Sequence, residues 1–315
     1  MLTLLKVPAR LSAALFATGL LVAAGANVAR PGTVNYAEGS VTLAGQSIGS
    51  RQIGQAELEP GQMLQTTRGK AEILLTPGVL LRIGDNSAVR MISPGLADTH
   101  VELVRGEAMV EASWVRDENR IAVTDGGIDT LILKRGVYRF DADRPKVAVF
   151  DGKVRVLADD KGIEFGKGKE LALGVDTKPR KFDRDQTDDL YAWSKLRSGY
   201  LAEANQAAVQ TVVVGGPGWY GSGWYWTPAF RTWAFVPGDG YLMSPFGFGF
   251  YSPSYWSSWG PVYSYPYYRS RPAYVGRGFS SPAAGGFSRG RVPAMSAPAM
   301  RGGGGVRALG RGARM

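Results

Sequence analysis

Few residues in this chain of 315 could carry out bond-making chemistry. There is one histidine, His100, and no cysteine, which removes thiolate nucleophiles, Cys–His catalysis and disulfides. A Ser-His-Asp arrangement would have to be built on His100, which follows Asp98-Thr99 at the start of an expected strand and reads as a surface residue. One imidazole without thiolates supplies too few soft ligands for zinc or copper, so no metal and no cofactor is expected, while an oxygen-only calcium site stays open. Paired carboxylates for glycoside hydrolysis would need two acids facing one cleft. Asp183, Asp185, Asp188 and Asp189 sit where a helix is expected to begin, and capping together with the helix dipole accounts for them. Asp98, Asp117, Glu118, Asp125 and Asp129 fall at expected turns, where aspartate is first of all a turn former. No catalytic residue is assigned, and the chain reads as non-enzymatic.

Contact chemistry is far denser. Twenty of the aromatic residues lie between Trp219 and Tyr268, separated by Gly, Pro and Ser rather than by charges. Rings at that density either collapse onto a neighbouring domain or face a ligand with flat apolar surfaces, such as a sugar. The residues expected to make such contacts are Trp219, Trp224, Tyr225, Trp226, Trp233, Tyr251, Trp256 and Trp259. A second contact chemistry follows them. The net charge is +10, yet no acid occurs after Asp239, while Arg269, Arg271, Arg277, Arg289, Arg291, Arg301, Arg307, Arg311 and Arg314 all do. The positive charge therefore belongs to a tail, which suits an anionic polymer or surface.

The elements that must carry these residues change along the chain. Lys6 and Arg10 precede an apolar run from Leu11 to Ala24 that ends in Ala24-Gly25-Ala26, the pattern of a signal peptide over 1–26 with cleavage before Asn27. Short alternating runs broken by glycine then fill 30–180, and Asp151-Gly152 between Val147-Ala148-Val149-Phe150 and Lys153-Val154-Arg155-Val156 marks a hairpin. Strands at this spacing without helical crossovers predict an all-β domain: a short-strand sandwich, a barrel or a β-solenoid. Leu190, Trp193, Leu196, Tyr200, Leu201 and Ala204 recur at helical spacing and predict one amphipathic helix over 183–210, capped by Asp183 or Asp185. The aromatic block at 215–268 is expected to be largely irregular, and the Arg/Gly-rich tail at 269–315 to be disordered.

The β-region resembles the FecR-like domain, the periplasmic module of FecR-type sigma regulators. The resemblance rests on Gly32 to Val41, Leu58 to Thr66, Ala71 to Ile83, Val101 to Gly106, and the Val149 to Val156 hairpin followed by Lys167-Gly168. Only ten residues precede the apolar segment, which leaves no room for the family's cytoplasmic anti-sigma region. The family's Gly-Thr-x-Phe stretch appears as Gly136-Val137-Tyr138-Arg139-Phe140, without the threonine. What the resemblance implies is an exported, stand-alone FecR-like β-domain, periplasmic or secreted. The block from Trp224 to Pro253 is similar to C-terminal extensions of such stand-alone proteins in Gram-negative bacteria. The expected role is binding of a cell-envelope component: polysaccharide, peptidoglycan or an anionic surface, with peripheral membrane association included. The alternative is a protein-interaction module of an envelope signalling or export assembly. Export argues against nucleic acid as a partner.

Overall fold

Glycine-punctuated runs of branched and aromatic residues between Val34 and Lys181 form one sheet of fifteen strands in the computed structural model, which describes residues 29–158, 162–214 and 221–259. The expected signal segment and the arginine tail lie outside the described residues. The strands are β1 (Val34–Leu43), β2 (Gln46–Ser47), β3 (Met63–Leu74), β4 (Val79–Ile83), β5 (Ala88–Pro94), β6 (Asp98–Arg105) and β7 (Glu107–Ala112). There follow β8 (Arg120–Asp125), β9 (Ile128–Ile132), β10 (Gly136–Asp141), β11 (Lys146–Asp151), β12 (Lys153–Val156), β13 (Ile163–Gly166), β14 (Lys169–Ala172) and β15 (Arg180–Lys181). The expected hairpin around Asp151-Gly152 does not pair with itself: β11 pairs with β10 and β14, whereas β12 crosses to β9 and β13.

Strand β3 joins the two arms of the sheet. Its first residues, Met63–Gln65, pair with β5, its last, Ala71–Leu74, pair with β4, and β1 runs antiparallel beside both stretches. The β1–β3 ladder shifts register between Gly39 and Val41. There a Cβ on Gly69 would stand 2.3 Å from the Glu38 carbonyl oxygen, and one on Gly39, at φ +69°, 2.2 Å from that of Arg68. Only glycine lets the two backbones close to that distance while the ladder bends. From β3 one arm runs β5-β6-β8-β9-β12-β13 and the other β4-β7-β10-β11-β14-β15; β6–β8 is a parallel pair.

Strand alternation then sorts the side chains. Val89, Met91, Val101, Leu103 and Val123 of the first arm share one core with Ile73, Leu81, Val110, Phe140 and Val149 of the second. This corresponds to the sandwich form of the all-β expectation. The second arm is buried on its outer face too, which explains why every residue from Val79 to Ile83 is buried, Arg82 included. Covering it are α1 (Asp189–Val213), the hairpin β16 (Gly223–Thr227) with β17 (Thr232–Val236), and the hairpin β18 (Tyr241–Met243) with β19 (Gly249–Tyr251), while α2 (Pro253–Trp259) packs on α1. Within the described part of the aromatic block, the two hairpins and α2 are regular and the segments between them irregular.

Helix α1 departs from its sequence expectation. It begins after Asp188, whose carboxylate accepts from the Tyr191 N–H, so neither Asp183 nor Asp185 is the cap. Two members of the expected apolar stripe, Leu196 and Tyr200, are exposed, whereas Ser194, Arg197, Ser198 and Asn205 are buried beside Leu190, Leu201 and Ala204. The sheet beneath it is polar at its centre, and that polar centre selects the face. Among the described residues no helix is long and apolar enough to cross a membrane.

Candidate binding surface

At the centre of the covered arm, alternation places Glu72, Arg82 and Glu111 on neighbouring strands pointing away from the apolar core. Arg82 donates through Nε to Glu72 at 2.8 Å and through Nη1 to Glu111 at 2.7 Å, and all three are fully buried. Arg197 reaches down from α1 to the other oxygen of Glu72 at 2.8 Å, its guanidinium 4.0 Å from the Tyr36 ring centre. Ser198 donates to Glu111 at 2.7 Å. Burial by itself would push the Glu72 carboxyl up, but Arg197 and Arg82 outweigh it and hold the group down at about 2. Two carboxylates thus meet two guanidiniums in a sealed layer, an internal tie with no face for a substrate.

Two buried amides hold the aromatic hairpins as a neighbouring strand would. Asn35 of β1 accepts from the Trp233 N–H at 2.8 Å and donates to the Trp233 carbonyl at 3.1 Å. Asn205 of α1 does the same to Tyr251, at 2.8 and 3.0 Å, and also donates to the Phe235 carbonyl at 2.9 Å. The rings fill in around these clamps. Trp224, Trp233, Phe235 and Phe250 form one buried cluster with Leu74, Leu80 and Leu201. Trp226 crosses Trp233 at 62° and lies against Gly54, where a Cβ would come 2.3 Å from its ring.

The expected contact residues therefore separate. Trp224 and Trp233 are buried and cover apolar area beneath them, and Trp233 lines a small cavity of about 150 Å³ with Trp226, Gly54 and Gln55. Tyr225, Tyr251 and Trp256 are half-buried and Trp226 is 37% exposed. Trp259 ends α2, with its side chain outside the described residues, as are Trp219, Arg269, Arg271, Arg277, Arg289 and Arg291. Sequence reasoning missed Tyr241 and Tyr255. Tyr241 is 52% exposed, and Tyr255 lies 5.1 Å from it and 5.8 Å from Tyr251, nearly parallel to the latter at 15°. Trp256 closes the group 5.5 Å from Tyr251.

Elsewhere, polar groups that could have formed a reaction centre are held by one another. His100 lies near the start of β6, as expected, and is half-buried, its Nε2 2.7 Å from the Thr124 hydroxyl, which donates to Asp129 at 2.6 Å. A proton relay of the Ser-His-Asp type needs acid and hydroxyl at opposite ring nitrogens, and here Thr124 at 2.7 Å and Asp129 at 3.5 Å both stand at Nε2. Asp98 and Asp129 both contact Arg120, Glu118 contacts Arg116, and Asp189 contacts Lys70. Asp125 is fully buried, and burial pushes its carboxyl up to about 7, with the charge of Asp141 adding to the rise. Among the described residues no three His, Asp or Glu side chains are placed to hold a metal ion.

No family model and no curated relative matches the chain. Among solved structures it is similar to two crystal structures of a protein from Parabacteroides distasonis described as an anti-sigma factor, at 16% and 17% sequence identity and a TM-score of 0.35 in both cases. The likeness covers 42% of this chain and 64% of that one, less than two thirds of its length.

Proposed function

We propose that this protein is an exported, non-enzymatic, FecR-like binding protein that contacts a component of the cell envelope. One observation carries the reading: with Trp224, Trp233, Phe235 and Phe250 buried, the described part of the aromatic block still leaves Trp226, Phe230 and Tyr241 exposed, the last beside the half-buried Tyr251, Tyr255 and Trp256. Rings gathered at a surface suit ligand contact, and the arginine tail adds affinity for anionic material. The sequence resemblance and the N-terminal pattern support export. The test is co-sedimentation of the chain lacking residues 1–26 with purified cell-wall sacculi. Retention that is weakened by Tyr241→Ala combined with removal of residues 269–315 is the expected result; passage of the intact chain into the supernatant would refute the proposal.

A second reading has its own observation. The outer face of the first arm is open, with Ile92 and Val104 exposed beside the Arg90–Glu102 ion pair. That face would serve a protein partner in an envelope signalling or export assembly. Loss of a defined partner on replacing Ile92 and Val104 with charged residues, with sacculus binding absent, would favour it.

A further inference from the structure

We infer that the outward face of α1 is a self-association surface, on which a second copy of this chain packs its own α1 antiparallel about a two-fold axis near Ser198 and Gly199. The inference goes beyond the envelope-binding reading and does not depend on it. Helical spacing places Ala192, Leu196 and Tyr200 in one row on the side of α1 turned away from the sheet, with Trp193 beside them. Leu196 is 57% and Tyr200 48% exposed, whereas Arg197, Ser198 and Leu201 between and after them are buried. Among the described residues nothing covers this row.

Charge identifies the occupant. The same face carries Lys195 and Glu203, both exposed, and neither has an ion-pair partner among the described residues. Eight residues apart, they stand about 12 Å from each other along the axis at 1.5 Å per residue, and no opposite charge lies three or four residues from either. An antiparallel copy supplies both missing partners at once. Residues equally far before and after the axis then face one another, so Lys195 meets Glu203 of the second copy, the reciprocal pair forms alongside, and Leu196 packs against Tyr200. A parallel copy would instead set lysine against lysine and glutamate against glutamate. A purely apolar partner would cover Glu203 without a counter-ion, and an anionic membrane would repel it. The seam from Ala192 to Glu203 is only about three turns long, so the pairing belongs to the weak, concentration-dependent class. Its use is avidity, since two joined copies hold a polymer at two points.

The experiment is sedimentation velocity of the chain lacking residues 1–26 at concentrations up to about 1 mM, where weak pairings still register. A monomer–dimer equilibrium is expected. Leu196→Glu and the single reversals Lys195→Glu and Glu203→Lys should each weaken it about tenfold or more, and the double reversal should restore it. Mixing the two single-reversal chains should also yield dimers, because each then carries the charges the other lacks. All three side chains are exposed, so unchanged thermal midpoints are expected to show that the fold is kept. A chain that stays monomeric throughout, association untouched by Leu196→Glu, or a double reversal no better than the single ones overturns the inference. So does a monomer that floats with vesicles of phosphatidylethanolamine and phosphatidylglycerol in a Leu196-dependent way, which would assign the face to a membrane surface.

Discussion

Asp125 and Glu72 are both buried carboxyls, yet they should act on stability with opposite sign. Glu72 is held near 2 in the folded protein against a reference of 4.5, so its ion pairs contribute fully above about pH 4.5 and are lost as the pH falls toward 2. Asp125 is raised from 3.8 to about 7, with Oδ2 accepting from the Lys146 N–H at 3.3 Å and Oδ1 without a partner. It is best tolerated when protonated, and its contribution fades as the pH rises through about 7. Asp125→Asn should therefore raise the thermal midpoint at pH 8 and change it little at pH 4; the reverse ordering would contradict this assignment. Arg82→Met should be the costlier change, since it leaves Glu72 and Glu111 buried without their shared counter-ion. A loss of about 3–5 kcal/mol in urea unfolding is expected. None of these three groups was legible in the sequence. Glu72 and Arg82 occur singly inside runs that otherwise read as apolar strands, and nothing in the local pattern says that both strand faces will be covered.

At the scale of elements, the strands of the first 180 residues were largely readable, because glycine punctuation and period-two alternation are local signals. The partners of those strands were not. The Asp151-Gly152 turn looked like a closed hairpin, yet the two strands part company there because Val137 and Asp151 pair on one side while Ile132 and Val154 pair on the other. The aromatic hairpins were missed for another reason: what orders them is not their own alternation but two amides distant in sequence. Asn35→Ala and Asn205→Ala should each cost about 1–3 kcal/mol, leaving buried backbone groups of Trp233 and Tyr251 unpaired. Hydrogen exchange gives the specific signature, with amides of 223–251 losing protection before those of β4 and β7. Uniform loss across the sheet would mean that the amides are ordinary core residues. Gly54→Ala offers a check from the opposite side of the hairpin, because a methyl there meets the Trp226 ring and a φ of +79° together. It should destabilise the fold and change the Trp226 environment.

For the whole molecule, composition foretold the division of labour only in outline. Aromatic richness announced contact, but which rings would be consumed by the fold depended on the outer surface of β4, β7, β10 and β11, invisible until the sheet was assembled. The arginine tail remains an expectation from charge alone. If it binds anionic envelope material, retention should fall steeply between 0.1 and 1 M salt, as the Debye length shrinks from about 10 to 3 Å, and deletion of residues 269–315 should abolish that dependence. The central structural claim is that α1 and the aromatic hairpins are a third layer of the β-domain, joined to it by the Glu72–Arg82–Glu111–Arg197 tie and the two amide clamps. The most direct test is urea unfolding of the chain lacking residues 1–26, followed at once by tryptophan fluorescence, which reports mainly the third layer, and by far-ultraviolet dichroism, which reports the sheet. A single coincident transition is expected. A fluorescence transition well below that of the sheet would show that the aromatic layer is an independent appendage, and the account would fail.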